Sequence, residues 1–487
     1  MTANFDYEKI GLKCGLEIHQ QLDTHKLFCS CDSQMNKQPN DEIFRKMRAV
    51  AGELGDVDAA ALHEVLRNKD FFYKVYPEEA CLVEADCEPP HDMNKEALEI
   101  ALKIALMLNC EIPEEIHVMR KQVIDGSNTS GFQRTAIIGL NGSLVTSFGK
   151  VGITNISIEE DACQIIEKTD KKVVYGLHRL GIPLVEIGTS PDMRLPEQVK
   201  EAAEKIGMIL RSTGRVKRGL GTIRQDVNVS IKGGTRIELK GVQDLPLIPK
   251  HVDDEIKRQL DFINKKKSVP KEVRRVTERG SEFMRPLTGG ARMYPETDIP
   301  PISVDDIFLM RLKKELPELW EEKEKRFMKQ FGLNQDVVKQ LNRSGMSEIF
   351  ERLVKLENDP KTVSFTLTAG ITQLRRDNTP TERLTEKNFV DVFDALKKNR
   401  ITKDNILDVL KQLAHSPEKQ IETVLGKSET VSEDNLREKI REIIRKNPQA
   451  KDTPRPEQAY MGLVMKELRG KAPGDLVMKI LKEELAK

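Results

Sequence analysis

The chain has 487 residues, 32% of them charged, with 79 Lys and Arg against 78 Asp and Glu, one Trp and seven cysteines. That length allows two to four domains with large cores, and the even charge balance excludes a uniformly basic nucleic-acid binder, so any such affinity has to come from local patches. No apolar stretch approaches the roughly 20 residues of a membrane span; the polar start, Met1 to Glu8, predicts no signal peptide, and cysteines scattered from Cys14 to Cys163 predict no disulfide framework, so a cytoplasmic protein is expected.

In chain order, the first clear element is residues 12–22. Leu12, Cys14, Leu16 and Ile18 alternate with Lys13, Gly15, Glu17 and His19, the period of a half-buried strand. Glu17 and His19 therefore share a face, and an i, i+2 Glu/His pair can share a metal ion or a proton. Residues 95–108 (KEALEIALKIALML) read as a helix with Asn94 as its N-cap. Strand-like runs follow at 118–125 and 151–161. Between them, the loop 125–135 holds Ser127, Asn128, Thr129, Ser130, Gln133 and Arg134. Its backbone N–H groups and hydroxyls could cradle an anion, or it is an ordinary polar surface loop. At 156–161, alternation puts Glu159 and Asp161 beside Ser157 and turns Glu160 to the side of Ile156 and Ile158. Three adjacent acids either bind Mg²⁺ or sit in solvent. A second helix spans 196–212, starting on Pro196 and stopping before Gly214.

The next element is a hairpin, 224–240. Its apolar residues are Val227, Val229 and Ile231 on one arm and Ile237 and Leu239 on the other. A three-residue loop through Thr235 pairs Lys232 with Arg236 and brings both sets to one face, whereas a two-residue Gly-Gly turn separates them. The other face then collects Arg224, Asp226, Asn228, Ser230, Arg236, Glu238 and Lys240, either a site or a solvated sheet face. In this register Glu238 faces Ser230, about 13 Å along the strand from Asp226 at about 3.3 Å per residue. The two carboxylates would then line one cleft from different ends without gripping one ion. Lys265-Lys266-Lys267-Ser268-Val269-Pro270 reads as a basic linker.

Beyond Pro300 the chain reads as helices at 304–330, 334–357, 386–397, 403–414, 432–446 and 456–469. The predicted class is α+β: an antiparallel-sheet-rich body over 1–300, a helical domain over 301–425 and a helical tail over 426–487. No internal repeat stands out. The P-loop pattern fails at both candidate positions. Gly149-Lys150 is followed by Val151, and Gly426-Lys427-Ser428 lacks its leading Gly because Ile421 stands there.

Several stretches together resemble a known family, the B/E subunits of tRNA-dependent amidotransferases. They are Gly15-Leu16-Glu17-Ile18-His19, the loop 125–135, Glu159-Glu160-Asp161, residues 178–187 (HRLGIPLVEI) and 219–228. Residues 48–62 (RAVAGELGDVDAAAL), 118–133 (VMRKQVIDGSNTSGFQ), 210–226 (LRSTGRVKRGLGTIRQD), 293–298 (MYPETD) and the tail 465–471 (MKELRGK) are similar to its archaeal E branch. The resemblance implies a cradle-like catalytic domain that uses ATP and Mg²⁺ to phosphorylate the γ-carboxylate of glutamate mischarged on tRNA(Gln), after which ammonia displaces the phosphate. It implies a metal and phosphate site at Glu17, His19, Glu159, Glu160, Asp226 and Glu238, with Glu186 as a lesser candidate. ATP or substrate would meet Ser127, Asn128, Thr129, Ser130, Gln133, Arg224 and Lys240. Lys466, Arg469 and Lys471 would touch tRNA, or are solvated helix-end cations. No glutaminase constellation stands out, so the resemblance supplies a partner: an asparaginase-like D subunit, in a heterotetramer of two D and two E subunits. A B-type subunit working with amidase-like A and small C subunits, and a tRNA-binding scaffold without catalysis, are the alternatives.

The chain departs from the family pattern twice. B-type relatives often carry Cys-x-Cys followed by Cys-x-x-Cys that binds zinc. Here Cys29 and Cys31 keep the first pair, residues 32–50 hold no second one, and Cys81 and Cys87 are the remaining candidates nearby. Structural zinc is therefore not expected. Archaeal E subunits also carry a large insertion resembling an aspartyl-tRNA synthetase domain before the MYPETD motif, and residues 260–277 bridge that place directly.

Overall fold

The computed structural model describes residues 5–487 except 48–54, 56, 58–65, 67, 124, 279, 288–292, 357, 399, 417–420, 426–432, 453–455, 469–473 and 486–487. The family-like stretch 48–62 and the proposed tRNA contacts Arg469 and Lys471 thus fall wholly or largely outside the described residues. Two compact units result, Met1–Trp320 and Glu321–Lys487.

The first unit is built on a ten-stranded sheet. Its strands are β1 (Lys13–Gln21), β2 (Val118–Gln122), β3 (Phe132–Thr146), β4 (Gly149–Glu160), β5 (Pro183–Thr189), β6 (Ile223–Ser230), β7 (Ile237–Lys240), β8 (Glu272–Thr277), β9 (Gly280–Pro286) and β10 (Met293–Pro295). They are ordered β9-β8-β7-β6-β1-β5-β4-β3-β2-β10 and run antiparallel except for the β7–β8 pair. Strands β9 and β10 are consecutive in the chain yet form opposite edges. Ten flat strands spaced about 4.8 Å apart would hold those edges some 43 Å apart. The seven steps from Pro286 to Met293 reach at most about 25 Å. The sheet must therefore curl, and Met284 and Arg285 of β9 indeed line the same cavity as Met293 of β10.

Alternation decides what each side of the curl holds. Leu16, Ile18, Ile156, Ile158, Val185, Ile187, Val227, Val229, Ile237 and Leu239 face a core closed by three helices, α1 (Lys95–Met107), α2 (Pro196–Ser212) and α3 (Ile248–Asn264). Helix α1 starts where the sequence indicates, with Asn94 Oδ1 accepting from the Ala97 N–H at 3.1 Å. A smaller four-stranded sheet, formed by Asp41–Arg45, Asp70–Val75, Lys172–Gly176 and Gln164–Lys168, has its own core of Phe71, Tyr73, Val173 and Tyr175. The hydroxyls of Tyr73 and Tyr175 donate to the carbonyls of Gly126 (2.7 Å) and Asp125 (2.8 Å), which fixes the start of the polar loop.

The hairpin keeps the expected facing but not the expected register. Asn228, not Ser230, pairs with Glu238, and Val227 pairs with Leu239. The loop is Lys232-Gly233-Gly234, shifted back by one residue, because the Lys232 N–H donates to the Ile10 carbonyl (2.9 Å) and is not free to pair with Arg236. Gly233, at φ +78°, allows that turn. Glu238 thus lies only two residues along from Asp226, roughly 7 Å, and the separation of about 13 Å is corrected.

The second unit is helical, with one core spanning Phe327 to Val424 and another spanning Leu436 to Leu481. The single helix expected at 304–330 is two, Asp306–Lys314 and Trp320–Phe331, interrupted around Pro317. That expected at 334–357 is likewise two, Gln335–Ser344 and Ser347–Lys355, divided by Gly345 at φ +74°. Four further described segments are α-helical where the sequence reading names no helix: α3, residues 360–376 (whose middle, Thr366–Gly370, is π-helical), Ile421–Leu425 and Gly474–Leu485.

Candidate active site

The concave side of the curled sheet encloses a cavity of about 860 Å³, within the range of small-molecule sites. Seven carboxylates line it (Glu17, Asp125, Glu159, Asp161, Glu186, Asp226 and Glu238), together with six cations (Lys121, Arg224, Arg236, Lys240, Arg275 and Arg285) and His19.

At its centre three strands bring acids around one imidazole. His19 lies opposite Glu186 across β1–β5, and Glu17 opposite Asp226 across β1–β6. His19 Nε2 sits 3.5 Å from Glu186, 3.6 Å from Glu17 and 4.0 Å from Glu159. Lys121 Nζ holds Glu159 at 2.6 Å and lies 3.5 Å from Glu186. Ligand atoms of Glu17, His19 and Glu186 fall within 4.8 Å of one another, close enough to share a cation. Burial, then the charge of Glu186, pushes the Glu17 carboxyl up to about 7. Burial acts to lower the His19 pKa, but the hydrogen bond and charge of Glu186, with Glu159 and Glu17 behind it, raise it overall. Burial opposes ionisation of Glu186, yet His19 and Lys121 hold its pKa well below the usual carboxylate range.

A second cluster lies toward the hairpin. Lys240 Nζ bridges Asp226 (2.6 Å) and Glu238 (2.8 Å), so one cation is shared by the two carboxylates that the predicted register keeps apart. Arg224 donates to Asp161 Oδ1 at 2.7 Å, and Gln21 donates to Asp161 Oδ2 at 2.6 Å. Asp161 is thus the buried brace that fixes Arg224 at the cavity wall.

Most sequence candidates converge here: Glu17, His19, Glu159, Asp226, Glu238, Arg224, Lys240 and Gln133 all line the cavity. Glu186 is central to it. Glu160 is not part of it. It points to the opposite side of β4, buried at 3.3 Å from Arg134, and that guanidinium also donates to Glu296 at 2.9 Å. The side chains of Ser127 and Ser130 hold their own loop together, donating to Asp125 Oδ1 (2.6 Å) and the Phe132 carbonyl (2.9 Å), Thr129 anchors it by donating to the Glu84 carbonyl (2.6 Å), and Asn128 is buried. Of residues 125–135, Asp125, Gln133 and Thr135 reach the cavity. Lys466 lies on the helix Pro456–Leu468. Lys121 lies in the strand-like run 118–125 but is not singled out there, because Arg120 and Lys121 put a cation on each face; Arg275 and Arg285 carry no signal, because 272–285 holds charges on both faces and no clean alternation.

Outside the cavity, Cys29, Cys31, Cys81 and Glu84 converge, with ligand atoms all within 4.8 Å of one another. Cys87 is exposed and does not join them. The expectation of no zinc rests on a shortage of ligands close in sequence, and that shortage disappears in the fold.

An acid-lined, cation-rimmed cavity in a curled, largely antiparallel sheet, followed in the chain by a helical unit, can hold anionic and cationic groups side by side. Residues 12–310 match the family described as the GatB/GatE catalytic domain, and residues 348–485 match the GatB domain; the chain belongs to the GatB/GatE family. It is similar to the E subunit of glutamyl-tRNA(Gln) amidotransferase from Methanocaldococcus jannaschii, 37% identical with 99% of each chain covered. It is also similar to the proteins of that name from Archaeoglobus fulgidus (36%, 99% of each) and Methanobrevibacter smithii (35%, 99% of this chain and all of the relative). The first match runs over 625 aligned positions against 487 residues here, so at least 138 positions of that relative have no counterpart in this chain.

Proposed function

We propose that this chain converts glutamyl-tRNA(Gln) to glutaminyl-tRNA(Gln) as the kinase and transamidase component of an amidotransferase. A γ-carboxylate oxygen of the tRNA-bound glutamate attacks the terminal phosphorus of ATP, and ADP leaves. Ammonia then attacks the acyl carbon of the resulting acyl phosphate, phosphate leaves, and ammonia's surplus proton is lost. The observation that carries this reading is the Glu17–His19–Glu186 cluster set among cations in one cavity. Two anions cannot approach in phosphoryl transfer without charge neutralisation and positioning. Mg²⁺ keeps several waters and takes one or two protein carboxylates; Glu17 and Glu186 fit that demand, with His19 fixing Glu186 by a hydrogen bond. Such an ion would supply charge neutralisation for the phosphates and the carboxylate. Arg224, braced by Asp161, and Arg236, Arg275 and Arg285 face the same space and suit phosphate oxygens.

Ammonia would come from a separate asparaginase-like glutaminase, two copies of each protein forming the assembly in the cytoplasm. The helical parts, divided near residue 425, would carry the tRNA, with Lys466, Arg469 and Lys471 touching phosphates. The test is ADP formation by the chain with Mg²⁺, with and without glutamyl-tRNA(Gln), beside a Glu17→Gln variant and with the glutaminase added. ADP that depends on charged tRNA and disappears in the variant is the expected result. Tight tRNA binding with no ADP, even with the glutaminase present, would leave a tRNA-binding scaffold.

A further inference from the structure

The run Lys265-Lys266-Lys267 takes no part in the chemistry above, yet it stands at the outer end of a row of cations that leads into the cavity. The tip of the β6–β7 hairpin sits on the last turns of α3. There the Thr235 N–H donates to Gln259 Oε1 at 3.2 Å, and a Cβ on Gly233 would lie 3.8 Å from Ile263 Cδ1. Lys232 and Arg236 of the hairpin are thereby brought to the helix end that carries the three lysines. Strands β7 and β8 run parallel with Lys240 opposite Arg275, and the same register continued back sets Arg236 beside Lys271. Arg236, Lys240 and Arg275 line the cavity. From Lys271 to Arg275 the chain covers about 13 Å at about 3.3 Å per residue.

Two features set this row apart from an ordinary solvated face. Lys232, Arg236, Lys266, Lys267 and Lys271 are exposed, and among the described residues none of them pairs with a carboxylate. The acids of the neighbouring elements are already engaged: Asp261 by Lys265 at 2.6 Å, Glu255 by Arg258 at 2.9 Å and Glu272 by Arg274 at 2.5 Å. Lys266 also holds φ +53°, the left-handed position at a helix end where glycine is usual, so a cation is kept there against backbone preference.

We propose that Lys232, Arg236, Lys266, Lys267 and Lys271 form a phosphate track that carries the aminoacylated strand of the tRNA into the cavity. The inference rests on the amidotransferase reading for the identity of the polyanion and extends it to the route by which the substrate enters. An aminoacyl group reaches the cavity at the end of a chain of phosphates, so the wall it crosses has to offer spaced cations and no acid free to repel them. Phosphate contacts of this kind fix position and direction without reading sequence. An exposed, unpaired ammonium makes such a contact with no ion pair to break, and the counterions released from the phosphates drive binding.

The test compares the full chain with a Lys266→Ser, Lys267→Ser, Lys271→Ser variant, whose three positions are exposed and lie outside the cavity. A control removes the same charge elsewhere on the surface, by Lys171→Ser, Lys313→Ser and Lys314→Ser. Binding of uncharged tRNA(Gln) is followed by fluorescence anisotropy over a range of salt concentrations. Each lost phosphate contact removes about 0.7–0.9 from the slope of log K against log salt, so the variant's slope should be shallower by about two and its affinity at physiological salt at least about fivefold weaker, with the control close to the unmodified chain. In the ADP assay the KM for glutamyl-tRNA(Gln) should rise in step, while kcat and the KM for ATP stay within about twofold. An unchanged slope, or an equal loss in the control, overturns the track even where ADP formation still depends on charged tRNA. A shallower slope in a chain that forms no tRNA-dependent ADP would uphold the track and sink the amidotransferase reading instead.

Discussion

Glu17 is the residue whose protonation most directly reports the cavity's state. Its carboxyl rises from an ordinary 4.5 to about 7 through burial first and the charge of Glu186 second. A folded-state pKa above the unfolded one adds stability that is complete below about pH 4.5 and is lost as pH rises through about 7. His19, also raised, contributes in the same sense and is lost through its own higher pKa. Without divalent cations, thermal stability should therefore fall between pH 5 and 8. Mg²⁺ needs Glu17 ionised, so its affinity should climb about tenfold per pH unit up to about 7 and then level. Calorimetric titration at pH 6 and 8 checks this, and equal affinities at both would remove Glu17 from the cation site. A second contrast separates neighbours of one kind. Glu186→Gln should lower tRNA-dependent ADP formation at least about a hundredfold, while Glu160→Gln, away from the cavity, should cost about 1–3 kcal/mol of stability by leaving buried Arg134 with Glu296 as its remaining carboxylate and leave turnover within a few fold. Denaturant unfolding and the ADP assay on both variants read this out. Alternation alone places Glu17 and His19 correctly and turns Glu160 toward Ile156 and Ile158; only the family resemblance draws Glu160 into the site. Glu186 is hard to read for the opposite reason. It sits among Leu184, Val185 and Ile187 in a strand buried on both faces, where period two carries little contrast.

At the scale of elements, the hairpin shows where local pattern stops. Period two fixes which residues face the cavity, since any even shift of register preserves the face. It cannot fix the register itself, because the group that captures the Lys232 N–H is the Ile10 carbonyl, more than 200 residues away in sequence. The outcome matters chemically: Lys240 bridges Asp226 and Glu238 on neighbouring strands. Burial acts to lower the Lys240 pKa, but Asp226 and Glu238 hold it above the ordinary lysine range. Lys240→Met should destabilise the cation-free protein by about 3 kcal/mol, the cost of leaving two largely buried carboxylates facing each other. Added Mg²⁺ or Ca²⁺ should recover part of that loss, and urea unfolding with and without the ions measures it. No loss in the variant would mean that water already solvates the pair. Helices divide by the same rule. Those with a local stop signal, such as α2 between Pro196 and Gly214, are legible. The helix α3 is not, because its Ile248, Val252 and Ile256 row is diluted by charges, one of which finds a partner only in the fold, as Arg258 does with Glu272 at 3.3 Å.

At the scale of the whole molecule, the sequence marks a change of character near Pro300, but compactness places the boundary at Trp320. The difference lies in residues 301–320, helical in composition yet committed to the first unit. Ile302 and Ser303 pair with Ile116 and Glu115. Val304 and Leu312 are buried in the first unit's core, Leu312 completely. Helix Asp306–Lys314 is tied to α1 by Arg311 donating to Glu99 at 2.7 Å and Lys103 donating to Glu315 at 2.8 Å. Those surface pairs contribute little; the apolar burial is worth roughly 3–5 kcal/mol at about 2 kcal/mol per side chain. A fragment ending at residue 320 should therefore fold with the full cavity and keep the pH-dependent Mg²⁺ binding of the intact chain. One ending at residue 300 should be less stable by at least about 3 kcal/mol and expose the α1 surface that Leu312 covers. Paired urea unfolding of the two fragments, with dye binding to follow the uncovered apolar surface, decides between the limits. Equal stabilities would show that the helix merely rests on the sheet unit and that the compositional boundary is also the physical one. The expected gap would show that the cradle's core is completed by residues whose composition looks like the helical half, a commitment set by what they pack against.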